Sequence, residues 1–380
     1  MFMAITEPSF TVGIEEEYML VDQETRALAV DPPEDIFADC EQRLPGLVKP
    51  EFLKAQIESN TPVCQSVPEA RNKLAELRSA VSEVAERHGY SIIAASTHPF
   101  AEWQSQHHTD KERYNVLAQD LQAVVRRLLI CGMHVHVGID DDELRIDLLN
   151  QVSYFLPHIL ALSTSSPFWQ GEHTGLRSYR LSVFDELPRT GLPNIFDSYS
   201  EYQRHIDVLV NAGLIEDSTK LWWDVRPSQT YPTLEMRISD LCTTIDDAAS
   251  IAALFSCLLR MLYRLKMENK RWRQYAPMLI MENRWRAQRY GIDEGLVDFG
   301  KGEIVPFKDL LSELIELISQ DADALGCVSE IQNLNSIVKR GTSAHRQVAT
   351  YEKAIADGAD KETALKAVVD FLVDETKSGL

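Results

Sequence analysis

The stretch CGMHVHVGI, residues 131–139, alternates without a break: Met133, Val135, Val137 and Ile139 fall on one face of an extended chain, and His134, His136 and Gly138 on the other. A helix would scatter these side chains around its axis. The period of two therefore predicts a strand with one buried apolar face and one face that gathers imidazoles. Two histidines one strand repeat apart stand at metal-ligand spacing; the plainer alternative is one histidine satisfied in the core and one exposed.

Three other stretches follow the same grammar. In TVGIEEEYMLVD (11–22), Val12, Ile14, Tyr18 and Leu20 share a face, and Gly13, Glu15 and Glu17 share the opposite one. Glu16 falls on the apolar side, with no partner legible in the sequence. In FLKAQIESNTPV (52–63), Gln56, Glu58 and Asn60 oppose Ala55 and Ile57, and in PTLEMRISD (232–240), Leu234, Met236 and Ile238 oppose Thr233, Glu235, Arg237 and Ser239. If the four strands belong to one sheet, its polar face collects Glu15, Glu17, Glu58, His134, His136, Glu235 and Arg237.

Carboxylates crowded together repel and resist desolvation unless a cation lies among them. A carboxylate-rich set with few imidazoles and no thiolate favours Mg²⁺ or Mn²⁺ over Zn²⁺, and Mg²⁺ held this way commonly also carries nucleotide phosphates. Each piece has a bland alternative: Glu-x-Glu as a solvated face, Glu-x-Arg as a simple ion pair. Arg177 and Arg180 in HTGLRSYRLSVF, and Arg226 in WWDVRPS, are candidates to hold carboxylate or phosphate groups, with surface ion pairs as their alternative. Trp222 and Trp223 read as core or loop anchors.

Around the strands, residues 66–88 predict an amphipathic helix, with Ser66 and Glu69 as a capping box, a stripe of Leu74, Leu77, Val81 and Val84, and Gly89 at the C-terminal end. Further helices are expected over 111–130 (Leu117, Leu121, Val124, Leu128) and 246–271. From Phe307 onward the periodicity is helical only. Helices interrupt the strands at irregular intervals without a Gly-rich phosphate loop, which argues against Rossmann and P-loop layouts and for an α+β protein on an antiparallel or mixed sheet.

The chain has 380 residues, 44% hydrophobic and 25% charged, enough for a large core and unlike a disordered sequence. No linker or repeat divides it, so one catalytic domain over 1–380 is expected, with a core over about 11–300 and a helical part over about 301–380. Lys and Arg number 38 against 58 Asp and Glu, a formal charge of −20. That field opposes nucleic acid and anionic membranes as partners. The six cysteines form no CxxC pair and read as reduced, buried thiols. The first residues lack a signal-peptide pattern, so a cytoplasmic location is the expectation. The uncharged run from Asn150 to Gly171 is interrupted by Pro157, His158 and a Ser/Thr cluster, and predicts a buried helix ending in a loop rather than a membrane span.

The pieces GIEEEYMLVD, EFLKAQIESNTPV, CGMHVHVGI, LPHILALSTSSPFWQGEHTGLRSYR, LPRTGLP, WWDVRPSQTYPTLEMRISD, ENRWRAQRYG and GTSAHRQ, in this order between about residues 11 and 347, resemble the glutamate–cysteine ligase type 2 family and its bacterial carboxylate–amine ligases. The resemblance implies a glutamine-synthetase-like fold, a sheet curved into a funnel with helices outside. It implies an ATP-dependent ligase that phosphorylates a carboxylate and couples it to an amine, releasing ADP and phosphate, with glutamate–cysteine ligase activity that is weak in family members. It makes Glu15, Glu17, Glu58, His134 and Glu235 look like Mg²⁺ (or Mn²⁺) ligands, Glu51 a further acidic candidate, and Arg237, with Glu235, the catalytic pair. Arg177, Arg180, Arg226 and His136 would bind substrate or nucleotide. ATP, a glutamate-like carboxylate and an amine such as cysteine are the implied substrates, and a homodimer is what the family suggests for assembly. Two other functions fit parts of the pattern: a zinc-dependent hydrolase built on His134 and His136, and a non-catalytic nucleotide or amino-acid sensor.

Overall fold

A computed structural model describes residues 6–112, 114, 115, 119 and 122–380 of the chain. Among the described residues, seven strands form one antiparallel sheet: β1 (Val12–Asp22), β2 (Val48–Pro50), β3 (Gln56–Asn60), β4 (Tyr90–Ile93), β5 (Met133–Gly138), β6 (Val225–Pro227) and β7 (Thr233–Met236). The order is β6–β7–β5–β1–β3–β2, and β4 also pairs with β1. The four stretches with alternating patterns supply β1, β3, β5 and β7, the centre of this sheet.

Burial fixes the register. Val12, Ile14, Tyr18 and Leu20 of β1, Val135 and Val137 of β5, and Leu234 and Met236 of β7 are buried on one face. A slip of one residue would send all of them to the polar side. Covering that face are α1 (Val67–Arg87) and, later in the chain after α2 (Leu156–Ser163), α3 (Ile245–Met267); α1 and α3 both touch β1, α3 touches β5, and α2 packs on α3. Ser66 caps α1 as predicted, accepting from Glu69 N at 3.3 Å, but the Glu69 carboxylate reaches the N–H of Gln65 rather than that of Ser66. Gly89, at φ +82°, turns the chain just after α1.

By length and composition α3 would suit a membrane span, yet its most apolar window is 83% buried inside the fold, as a core helix is. It ends at Met267, short of the predicted 271. The run from Asn150 resolves as expected, with every residue of α2 buried before a loop at Thr164. After α4 (Pro277–Tyr290) and a small hairpin (Leu296–Asp298 with Glu303–Val305), the chain is helical: α5 (Phe307–Leu325), α6 (Val328–Arg340), α7 (Ser343–Ala356) and α8 (Lys361–Thr376). Helices α5 and α6 pack on α3, and α8 on β4. Apolar side chains from Phe10 to Leu372 belong to one continuous core. All six cysteines are buried and unpaired, as expected. Part of the helix predicted over 111–130, including Leu117 and Leu121, lies outside the described residues; a short helical turn covers Ala123–Arg126.

Glu16 has its explanation in the core. Its carboxylate meets the guanidinium of Arg78 from α1 at 2.6 and 3.1 Å and accepts from Tyr18 Oη at 2.6 Å, and both charged side chains are fully buried. Arg78 also donates to the carbonyls of Cys242 and Thr243. One ion pair thus ties β1 to α1 and to the segment leading into α3, and every strong donor in reach is used.

Candidate active site

The opposite face of the sheet floors a cavity of about 940 Å³. Strand pairing sets its functional side chains in rows. Arg226, Glu235, His136 and Gly13 lie side by side across β6, β7, β5 and β1; the next row of the polar face brings His134, Glu15 and Asn60 together, with Arg237 just past the end of β7; Glu17 and Glu58 face each other across β1 and β3. Every one of these side chains except Gly13 contributes charge or hydrogen-bonding capacity to the cavity.

The first two rows form one electrostatic cluster. Arg226 clasps Glu235 with Nε and Nη2 at 2.9 and 3.1 Å, and Arg237 Nη1 reaches the same carboxylate at 2.5 Å. Burial alone would raise the Glu235 carboxyl, but Arg237 and Arg226 hold it far below the ordinary carboxylate range. Glu15 sits between the imidazoles, with His134 Nδ1 at 3.1 Å and His136 Nε2 at 3.2 Å. Burial pushes Glu15 up too, and the two histidines outweigh it and pull it well down. His134 itself is pushed down to about 4 by burial and by Arg237, so its ring is neutral at pH 7. Burial also opposes charge on His136, but Glu15 and Glu235 overcome it and raise its pKa.

The second cluster is compensated only in part, with Lys49 Nζ 3.9 Å from Glu58. Burial raises Glu17 to about 7, against the charge of Arg180 and the N–H of Gly132, and the facing Glu58 adds repulsion. Glu51 is raised well above the ordinary value by burial and then by Glu17 and Glu58. Glu17 accepts from Gly132 N at 2.6 Å, and Glu58 from Asn60 Nδ2 at 2.6 Å. Carboxylates such as those of Glu17 and Glu51, whose charge burial and then their acidic neighbours disfavour, suit a hard divalent cation, which would take the place of their protons. Among the described residues no cysteine lines the cavity.

The expected ligands Glu15, Glu17, Glu58, His134 and Glu235 fall into two groups here. Glu15 is shared by the histidines and Glu235 by the arginines, while Glu17, Glu51 and Glu58 form a separate acidic group beside Arg180 and Lys49. Among the described residues no three His, Cys, Asp or Glu side chains converge tightly enough to hold an ion as they stand. His134 and His136 both meet Glu15, His136 Nδ1 also meets Thr233 Oγ1 at 3.0 Å, and His134 Nδ1 also meets Arg237 Nη1 at 3.3 Å.

The arginines part company as well. Arg237 lines the cavity with a buried Nε that has no partner. Arg226 spends four hydrogen bonds on Glu235 and on the carbonyls of Thr219 and Leu221, and so orients Glu235. Arg180 borders the cavity from beneath Gly132. Arg177 is not among the residues around the cavity; it pairs with Asp293 at 2.8 Å, which also meets His345 Nε2 at 3.0 Å. Trp222 lines the cavity wall, half-buried beneath the guanidinium of Arg189, while Trp223 packs on Phe196 and Tyr202. Sequence reading missed Gly132, whose N–H holds Glu17, because a backbone donor leaves no side-chain signal.

Comparison with known proteins gives a consistent result. The model of the glutamate–cysteine ligase family 2 matches residues 11–369. A Rhodospirillum rubrum protein provisionally named glutamate–cysteine ligase 2 is 61% identical over 381 residues, covering 98% of this chain and 97% of its own length. A Jannaschia protein with the same provisional name is 53% identical over 375 residues, covering 99% of both. Among solved structures, a Francisella tularensis glutamate–cysteine ligase in complex with AMP superposes with a TM-score of 0.67 at 13% identity, over 97% of this chain and 89% of that one. A Pasteurella multocida bifunctional glutathione synthetase superposes with a TM-score of 0.68 at 16% identity, over 96% of this chain and 52% of that one. At such identities the two structures share the fold.

Proposed function

Because the chain belongs to glutamate–cysteine ligase family 2, and so with the ligases, we propose that it couples a glutamate-like carboxylate to an amine such as that of cysteine, using ATP and passing through an acyl phosphate. The observation that carries this reading is the pairing of two unlike clusters on one cavity floor: an arginine-locked carboxylate beside Arg237, and an acidic trio whose charge Arg180 and Lys49 offset only in part.

The chemistry needs positioning and charge neutralisation more than a side-chain nucleophile. A carboxylate oxygen of the substrate attacks the γ-phosphorus and ADP departs; the amine nitrogen then attacks the acyl carbon, loses a proton, and phosphate departs with the former carboxylate oxygen. Arg237, anchored through Nη1 on Glu235, is held rigid with Nε free in the buried floor, where a planar fork suits the oxygens of a transferring phosphoryl group. Arg226 keeps Glu235 from swinging towards substrate. Glu17, Glu51 and Glu58 would hold Mg²⁺ or Mn²⁺. That ion, once bound, supplies positive charge to the triphosphate. His134, neutral, and Glu15 complete the floor without adding net positive charge that would trap the product.

A screen of amino-acid and amine pairs tests the reading. With a productive pair, the protein should release ADP and phosphate and not AMP and pyrophosphate. Tight ATP binding without turnover for any pair would favour the sensor, and AMP with pyrophosphate would exclude an acyl phosphate.

A further inference from the structure

Arg180 reads from the sequence as a substrate-binding arginine, but its surroundings give it other work. It opens a five-residue helix, Arg180–Phe184, and is 2% exposed. Its Nη1 donates to the carbonyl of Ile238 at 3.3 Å and its Nη2 to the carbonyl of Arg237 at 3.2 Å. The guanidinium lies over the ring of Phe184. It also fills the space beneath Gly132 where a side chain would begin: a Cβ built there would stand 2.5 Å from Nη2 and 3.1 Å from Cζ. Gly132 is the residue whose N–H holds the Glu17 carboxylate and whose carbonyl accepts from Glu17 N.

Behind Arg180 stands a fully buried carboxylate. Asp240 accepts from Ser165 N at 2.8 Å, Ser166 Oγ at 2.7 Å and Ser178 Oγ at 2.8 Å, and Ser166 Oγ in turn accepts from the backbone N–H of Arg180 at 3.1 Å. Asp240 also bridges to Gly132 across the end of the sheet. A buried charge satisfied by three donors is a rigid anchor. The arginine is thus a post between two acids, fixed from behind by the serine–Asp240 network, with its front pressed on Gly132 and on the main chain of Arg237.

The geometry points to Arg180, backed by Asp240, as a positioning residue of the ligase reaction: it holds the Gly132 donor against Glu17 and the backbone that carries Arg237, and does not itself bind substrate. Gly132 is glycine because the guanidinium occupies the place of its side chain. The inference rests on the ligase reading above.

Steady-state kinetics of phosphate release, on a productive substrate pair, separate the roles. Arg180→Lys keeps a buried cation but loses the fork that spans two carbonyls. It should lower kcat about 100-fold, the scale of a misplaced reacting group, with each KM within about two-fold of wild type. Gly132→Ala should act the same way, by pushing the guanidinium aside. Combined with Arg180→Ala, which vacates that space, the added methyl should cost nothing further. A rise of about ten-fold or more in one KM with kcat preserved would make Arg180 a substrate ligand and overturn the proposal. So would unchanged kinetics for Arg180→Lys, or losses that multiply in the double variant. Thermal melts of Arg180→Lys and Gly132→Ala distinguish misplacement from misfolding, since a positioning loss persists well below the midpoint. Failure of the ligase reading would show earlier and differently, as wild-type protein that releases no phosphate with any pair.

Discussion

Glu235→Gln is expected to abolish turnover and, in the same protein, to cost about 3–5 kcal/mol of folding stability. Read from the sequence alone, the substitution relieves repulsion among acids and leaves the fold intact. The structure reverses that second part. Glu235 is 2% exposed and is the shared counter-ion of Arg226 and Arg237, both largely buried. Gln can still accept hydrogen bonds, but two guanidiniums would then face each other with no negative charge between them. Urea unfolding at pH 7 measures the effect; a wild-type midpoint would mean that the arginines find their neutralisation elsewhere, and the two-arginine lock would have to be given up.

Glu17→Gln should move stability the other way. The Glu17 carboxyl is raised from 4.5 to about 7, so folding favours its protonated form. Below pH 4.5 it is protonated in both folded and unfolded chains and costs nothing. As pH rises from 4.5 through 7, the folded state keeps a proton that the unfolded chain releases, and stability is lost over that window. Above pH 7 the full penalty, about 3 kcal/mol, is in place. The amide removes it. Without added metal, Glu17→Gln should therefore be more stable than wild type at pH 8 and no different near pH 4, while losing turnover because a cation ligand is gone. Saturating Mg²⁺ should stabilise wild type at pH 8 far more than the variant. Equal stability of the two proteins at pH 8, with and without metal, would show that Glu17 bears no uncompensated charge.

The strands were legible because their signal is local: alternation over six or more residues, with His134, His136, Glu15 and Glu17 all on the polar side, leaves one way to bury Val12, Ile14, Val135 and Val137. The gathering of those side chains on one floor followed from the sheet. What the sequence could not carry is pairing over distance. Glu16 looked anomalous because its partner, Arg78, is 62 residues away on a helix, where it falls four residues after Leu74 and three before Val81 and nothing local shows which strand it meets. Arg177 and Arg180, three apart, looked alike, yet one faces Asp293 outside the cavity and the other is sealed beneath Gly132. Chain geometry across α4 and the sheet decides that difference, and neither residue's neighbours in sequence record it. Nor does composition tell which acids are paired: Glu235 and Glu17 share the motif grammar, and only the arginines clasping one and the carboxylates facing the other tell them apart.

The measurement closest to the central claim uses a carboxylate substrate labelled with ¹⁸O in its reacting carboxyl group, supplied with ATP and a productive amine. Passage through an acyl phosphate predicts that one labelled oxygen leaves in the inorganic phosphate released with each amide formed. Unlabelled phosphate accompanying amide formation would contradict it.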